Sequence, residues 1–362
     1  MISVIGAGPA GSFYSSKVKD ADVCLFEEHT QIGRPVACTG ILTDSINRVT
    51  RFPRDLIINY VKQFKIIAPN NKATYIDLKK KNYVIDRAGF DQHLFERAVD
   101  NGAQVHLGER FTGYKKTRSG YQLQTNKKKY ETDMIVGADG PKSAVAQAAG
   151  LYGKRQFIKG WQARCRFPAL EPGVTQIHLN LGEFSWIVPE NEHIARVGVI
   201  GADTARLQQD YKKLLGNATI LEDQSGIIPL YNPKQTLQKD KISLIGDAAT
   251  QVKATTYGGI IYGLLAGTYL SENPATYQER FNNKLGRDLW ISLKMREWMN
   301  TMNEEQSNTL IDIFQKKHNI DILANHDRDF PSKFIVQLLL KETSLWKLGF
   351  DMFKNKLFSR KQ

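Results

Sequence analysis

Cross-linking chemistry is nearly absent from this 362-residue chain. Its three cysteines, Cys24, Cys38 and Cys165, are too few and too scattered for a disulfide framework or a four-cysteine zinc site. Seven histidines show no H-E-x-x-H spacing, so no metal is expected. There is no G-x-S-x-G of a serine hydrolase. The stretch Gly150-Leu151-Tyr152-Gly153-Lys154 lacks the length and the closing Ser or Thr of a P-loop. No apolar run approaches the roughly 18 residues that a membrane-spanning helix needs. The opening Met1-Ile2-Ser3-Val4-Ile5 reads as a buried strand and not as a basic, cleavable leader, so a cytoplasmic protein is expected. Internal repeats and low-complexity tracts are missing too.

Hydrophobic residues make up 41% and charged residues 24%, the balance of a globular chain long enough for two domains. Fifty Lys and Arg against 37 Asp and Glu give a net charge of +13. Such an excess suits nucleic acid, an anionic membrane or phosphorylated ligands, but it equally serves a merely solvated surface. The basic residues are scattered and no RNP1-type signature occurs, so nucleic acid is not an expected partner.

Residues 2–7 predict a short buried strand. The turn Gly6-Ala7-Gly8-Pro9-Ala10-Gly11 follows, then a helix through Phe13 and Tyr14 to about Lys19. A second strand, Val23-Cys24-Leu25-Phe26, ends in Glu27. Phe90, Leu94 and Ala98 have helical spacing within 88–101, and Gly102 stops that helix. Residues 110–135 alternate, with turn signals at Ser119-Gly120 and Asn126, and predict an antiparallel meander. Apolar strands recur at 133–137 and 241–246. From about 155 to 235, prolines punctuate strands and loops; after about 275 the chain reads as helical.

The glycine turn carries a mechanism. Gly6 permits the tight turn, Gly8 lets a pyrophosphate approach the backbone, and Gly11 lets the helix pack on its strand. The helix start, with Pro9 and Ala10, then faces the phosphates with free amides. Glu27 directly follows the apolar run and is the candidate acceptor for a ribose 2′-hydroxyl; Glu28 is the second choice. This pattern fits NAD and FAD alike. No second G-x-G-x-x-G occurs, so no separate nicotinamide domain is expected.

Two later apolar strands break at a Gly-flanked aspartate: 135–143 at Asp139-Gly140, and 244–249 at Gly246-Asp247. Either aspartate alone could be a helix N-cap. In this order and spacing they resemble the paired signatures of FAD-dependent oxidoreductases of the p-hydroxybenzoate hydroxylase type. The resemblance implies FAD as cofactor, with Asp247 at its ribityl chain, Asp139 joining the cofactor domain to the nicotinamide side, and Arg87 as a further FAD contact. Residues 33–40, Gly-Arg-Pro-Val-Ala-Cys-Thr-Gly, are similar to the Pro-x-x-Cys-x-Gly segment of geranylgeranyl reductases, which hydrogenate isoprenoid chains. That segment implies Arg34, Ala37 and Cys38 beside the cofactor. Phe184-Ser185-Trp186-Ile187-Val188-Pro189 resembles the family's Tyr-x-Trp-x-Phe-Pro stretch, with Phe184 and Val188 replacing the Tyr and Phe. The Gly246-Asp247 segment running into Tyr257-Gly258-Gly259-Ile260 is a third match, although Lys253-Ala254-Thr255-Thr256 stands where a proline is usual.

The resemblance covers roughly residues 1–290. It implies a Rossmann-type FAD-binding domain (1–60, 80–150 and 236–285) with an inserted antiparallel-sheet substrate domain (61–79 and 151–235). A helical C-terminal region (286–362) would follow. It implies reduction of C=C bonds in geranylgeranyl chains, most plausibly of archaeal-type ether phospholipids. The electron donor would be NAD(P)H or a ferredoxin-type protein. Phe184, Trp186, Pro189 and Tyr257 would line the lipid site. Cys38 is the candidate catalytic residue, as proton donor or as a modulator of the flavin; against this, free cysteines usually just pack. Cys24 and Cys165 are expected in the core. A monooxygenase of the same fold, acting on an aromatic or lipid, is the nearest rival, followed by a carotenoid-type cyclase and a flavoprotein that only binds membrane.

Residues 331–362 hold seven Lys or Arg and two acids, interleaved with Leu345, Trp346, Leu348, Phe350, Phe353, Leu357 and Phe358. This stretch could lie on an anionic bilayer, making the protein peripheral on the inner face of the cell membrane, or cap the flavin domain with a solvated basic face.

Overall fold

A computed structural model describes residues 1–349 of the chain. Its parallel sheet is built from segments far apart in sequence. The strand order is Gln238–Lys239, Ile242–Leu244, Met134–Gly137, Ile2–Ile5, Val23–Glu27, Gln104–Leu107. Every pairing is parallel except that of the edge strand Gln238–Lys239. The central strands are short and apolar because both faces are covered. Val4, Leu25, Phe26, Ile135, Val136 and Leu244 are all buried.

Helix α1 (Pro9–Ser15) is shorter than the sequence suggests, ending before Lys19. Helix α2 (Arg87–Asp100) lies alongside it, capped by Asp86, whose side chain accepts from Gly89 N. Helix α3 (Ala144–Ala148) follows the strand Met134–Gly137, and the expected meander forms a three-stranded sheet of Phe111–Lys116, Tyr121–Thr125 and Lys129–Thr132.

The second large sheet has eight strands, in the order Thr219–Pro229, Phe157–Arg166, Ile194–Gly201, Phe184–Pro189, Val174–His178, Ile57–Ile67, Ala73–Ile85, Ile41–Leu42. It is antiparallel except where Val174–His178 runs parallel to Ile57–Ile67. The insertion expected at 61–79 is therefore a longer hairpin of 57–85. Helix α4 (Thr204–Leu215) interrupts the stretch expected to hold only strands and loops. Its Leu207, Tyr211, Leu214 and Leu215 pack against the sheet with helical spacing, in the proline-free stretch between Pro189 and Pro229.

Helix α5 (Ile260–Glu272) returns to the parallel sheet and packs on α1. Helices α6 (Tyr277–Phe281), α7 (Arg287–Met299), α8 (Glu304–Phe314), α9 (Lys317–Asn325) and α10 (Ile335–Lys341) then cross to the eight-stranded sheet, where α8 and α9 lie over Ala73–Ile85. A helical stretch at 343–349 ends the described residues, and Phe350, Phe353, Leu357 and Phe358 lie outside them. Among the described residues no helix is long and apolar enough to cross a membrane.

Candidate active site

Four of the motifs converge at one edge. Gly6, Glu27, Asp139 and Asp247 stand at the carboxyl ends of four adjacent parallel strands, where ligands bind in open α/β sheets. Gly6 has φ +100°, and a Cβ there would strike the Ala138 carbonyl; a Cβ on Gly11 would strike the Gly6 carbonyl. Beside Gly8, by contrast, a Cβ would meet nothing within 4 Å. The turn is thus closed on the protein side and open on the other, which fits a phosphate-bearing cofactor lying on its backbone. Ala10, in the same turn, packs on Gly246.

Glu27 secures this turn: its Oε2 accepts from Ala7 N at 2.9 Å, and Oε1 accepts from His29 N at 3.0 Å. Glu28 is exposed. Asp139 does cap-like work, accepting from Ser143 Oγ at 2.6 Å and Val145 N at 3.0 Å. Burial raises its carboxyl pKa against the pull of those bonds. Gly140 adjoins it with φ +75°. Asp247 differs, because its side chain makes no hydrogen bond among the described residues and burial pushes its pKa up to about 6 despite Arg87 and Arg155. A desolvated carboxylate without donors fits a ligand that brings hydroxyl groups. Its Oδ1 lies 3.0 Å from where a Cβ on Gly259 would stand, so Gly258, Gly259 and Ile260 at the start of α5 adjoin the same edge.

Arg87 holds Asp91 through two bonds, at 2.9 and 2.8 Å, and the Cys38 side chain stands beside its guanidinium. Cys38 is half-buried, and its Sγ accepts from Gly40 N at 3.3 Å. Arg34 is exposed and pairs with Glu222, while Ala37 packs on Gly226 of the eight-stranded sheet.

The cysteine loop is fixed to that sheet by a residue that no motif marks. Gln162 Oε1 accepts from Thr39 Oγ1 at 2.8 Å and from Trp186 Nε1 at 3.0 Å. Its Nε2 donates to Gln224 Oε1 at 2.6 Å and to the Cys38 carbonyl at 3.4 Å. Arg196 donates to the Thr39 carbonyl at 2.6 Å while buried Glu190 accepts from both Arg196 and Arg164. At the parallel-sheet edge, Arg155 bridges the Pro141 and Ala248 carbonyls, tying the two aspartate loops together. The sequence offers no local signal for Gln162, Arg196 or Arg155, because their partners are remote in the chain.

Beyond this edge a cavity of about 1140 Å³ lies between the eight-stranded sheet and the C-terminal helices. Phe64, Ile66, Ile76 and Leu78 form the sheet wall; Met295, Met299, Leu310 and Phe314 form much of the helical wall. Thr255 and Thr256, from the loop after Asp247, line it too, as does Phe184. Phe184 stacks on Tyr257 with 6.0 Å between ring centres, and Arg296 covers both rings. Of the four residues expected at the lipid site only Phe184 is in the cavity wall: Tyr257 stacks on Phe184 instead, Trp186 lies across Gly198 and bonds to Gln162, and Pro189 is buried at the end of its strand.

The loop itself is held by Lys253, which is 1% exposed and pairs with Asp329. Burial would raise the Asp329 carboxyl, but Lys253 and Arg328 hold it below the ordinary range. Asp329 also accepts from Thr43 at 2.7 Å, so three distant segments meet there. Cys24 and Cys165 are both buried, with thiol pKa values raised by burial.

No protein-family model matches the chain. It is 28% identical to the digeranylgeranylglycerophospholipid reductase of Methanococcus vannielii, over 96% of this chain and 96% of that protein. It is also 28% identical to the reductase of that name from Methanosarcina acetivorans, over 86% of this chain and 87% of that one. Among solved structures, a geranylgeranyl bacteriochlorophyll reductase-like protein from Thermoplasma acidophilum superposes with a TM-score of 0.81 at 20% identity, covering 96% of this chain and 98% of that one. A p-nitrophenol 4-monooxygenase from Pseudomonas putida superposes less well, with a TM-score of 0.69 at 13% identity over 89% and 96% of the two chains. The chain therefore resembles the digeranylgeranylglycerophospholipid reductases over nearly its whole length and has the fold of the FAD-dependent oxidoreductases.

Proposed function

We propose that this chain is an FAD-dependent reductase that saturates the C=C bonds of geranylgeranyl chains in glycerol ether phospholipids. The observation that carries this reading is the apolar cavity reaching the Thr255–Thr256 loop. At about 1140 Å³ it exceeds the roughly 300–1,000 Å³ usual for compact ligands, and its walls are mostly aliphatic and aromatic. A long hydrocarbon chain needs such a space; a small polar aromatic does not.

FAD bound here and reduced by the donor would supply hydride for one carbon of the alkene, returning to its oxidised form. The chain's own contribution is to bind, dry and orient. The open side of Gly8 would take the pyrophosphate, Glu27 a ribose and Asp247 the ribityl hydroxyls. An isolated alkene is a poor hydride acceptor, so a proton must reach the other carbon as hydride arrives. Positioning in a water-free space supplies much of that requirement. Cys38, beside Arg87 and fastened through Gln162, is our proposed proton source, with a bound water as the alternative. NAD(P)H or a ferredoxin-type protein is the proposed reductant, and contact with a membrane would give access to the lipid.

The test is anaerobic. Protein with bound FAD is reduced chemically and mixed with a geranylgeranyl glycerol phospholipid, and the lipid is followed by mass spectrometry. Mass gains in two-hydrogen steps support the reading. An unchanged lipid beside stably reduced flavin overturns it, and exposing that sample to oxygen then tests for monooxygenase activity. With turnover established, Cys38→Ala lowering kcat more than flavin retention supports the proton role.

A further inference from the structure

The cavity wall is not closed. Trp290 and Trp346 line it yet are 48% and 61% exposed, and the exposed Lys80, Lys294 and Lys347 line it too. Helix α10 explains what surrounds this opening. Ile335, Leu338 and Leu339 face the cavity, but Val336 and Leu340, one turn apart, are 50% and 75% exposed. A short helix that is apolar on its outer as well as its inner face favours a second apolar phase outside it. Among the described residues Leu340 is the most exposed of the large hydrophobic side chains.

Charge is distributed to match. Lys333 and Lys341 flank α10 and are exposed, and Lys347 follows Trp346. The acid of this segment, Glu342, is buried and engaged by Lys316, His318 and Asn319, so it does not offset them at the surface. Trp346 is held in place, its Nε1 donating to the Leu339 carbonyl at 2.8 Å. Exposed aliphatics, two exposed indoles, one with its polar edge fixed, and a fringe of lysines are what the boundary of an anionic bilayer selects.

We propose that the outer face of α10, with Trp290 and Trp346, seats on an anionic lipid bilayer, and that the cavity opens there so that a lipid tail passes from bilayer to cavity without crossing water. This rests on the prenyl-lipid reading of the cavity, but the docking itself is measured without turnover. Full-length protein with bound FAD is sedimented with vesicles of phosphatidylcholine, alone and mixed with phosphatidylglycerol. Binding should require the anionic lipid, weaken with salt and blue-shift tryptophan emission. A Val336→Ser/Leu340→Ser variant, changed only on the outward face, should bind about tenfold more weakly. It should keep its flavin and its turnover of detergent-dissolved prenyl lipid, and lose turnover of vesicle-embedded lipid.

Wild-type protein left in the supernatant with anionic vesicles overturns the proposal, as does a double variant that binds undiminished. A wild-type dimer that the double variant dissociates assigns the face to a second copy of the chain instead, and also overturns it. Vesicle binding without turnover of any prenyl lipid would sustain the docking face and sink the substrate reading.

Discussion

Around the turn Gly6–Gly11, backbone meets backbone; around the cavity, side chain meets side chain. In the first region one added methylene collides with a carbonyl that cannot move, at both Gly6 and Gly11. In the second, Phe64, Ile177, Met299 and Phe314 enclose space through flexible or exchangeable groups. The difference predicts how each tolerates change. Cofactor geometry is rigid and intolerant, whereas substrate fit is adjustable and can drift.

The sharpest way to break that contrast is Gly11→Val. It should abolish flavin retention and cost at least about 3 kcal/mol, read by flavin absorbance and thermal unfolding. A variant that holds FAD normally would contradict the backbone argument. Lys253→Met comes next, because it leaves buried Asp329 without its partner. We expect a loss of about 3–5 kcal/mol in stability, measured by denaturant unfolding. An unchanged midpoint would show that the loop is held otherwise.

Gln162→Leu tests the join between the two regions. Thr39 Oγ1, Trp186 Nε1 and Gln224 Oε1 each lose a partner, costing about 1–3 kcal/mol apiece at most. Flavin should stay bound while kcat falls on the order of 10²-fold, since the Cys38 loop loses its fixed position. Gln162→Glu keeps the Oε1 acceptor and should restore part of kcat. Equal loss of flavin and kcat would reduce Gln162 to a structural role.

Asp247 gives a smaller, signed effect. Its pKa of about 6 lies above the ordinary carboxylate value, so the flavin-free fold gains stability from protonation at low pH. That gain is complete below about pH 4 and lost as pH rises through 6. Hydroxyl donors from a bound cofactor favour the ionised form, so FAD affinity should rise with pH across the same interval. Fluorescence titration of flavin checks this, and Asp247→Asn should flatten the profile. Smallest of all, Ile311→Val in the cavity wall should cost only about 0.5–1.5 kcal/mol and leave flavin binding untouched.

What could be read in advance follows the same division. The glycine turn, Glu27 and the two aspartates are local patterns of a few residues, and each sits at a strand end where its neighbours in sequence put it. The helix Arg87–Asp100 and the meander at 111–132 were equally local. The cavity was not, since its walls join residues as far apart as Phe64 and Phe314. Trp186 and Pro189 show the limit of a motif: their segment is placed as expected, yet only Phe184 of the three faces the cavity. Helix α4 lies in the proline-free stretch between Pro189 and Pro229, and Leu207, Tyr211 and Leu214 carry its period, a single short amphipathic helix amid strands.

The order of the parallel sheet has a consequence for synthesis. Ile2–Ile5 emerges first, but Met134–Gly137 and Ile242–Leu244 complete its side of the sheet much later. At ~5–20 residues per second, roughly 10–50 s separate the first strand from the last. Asp329, the partner of Lys253, emerges later still. A nascent chain thus exposes its glycine turn well before it can hold a cofactor there, so capture of FAD becomes one of the final acts of its maturation.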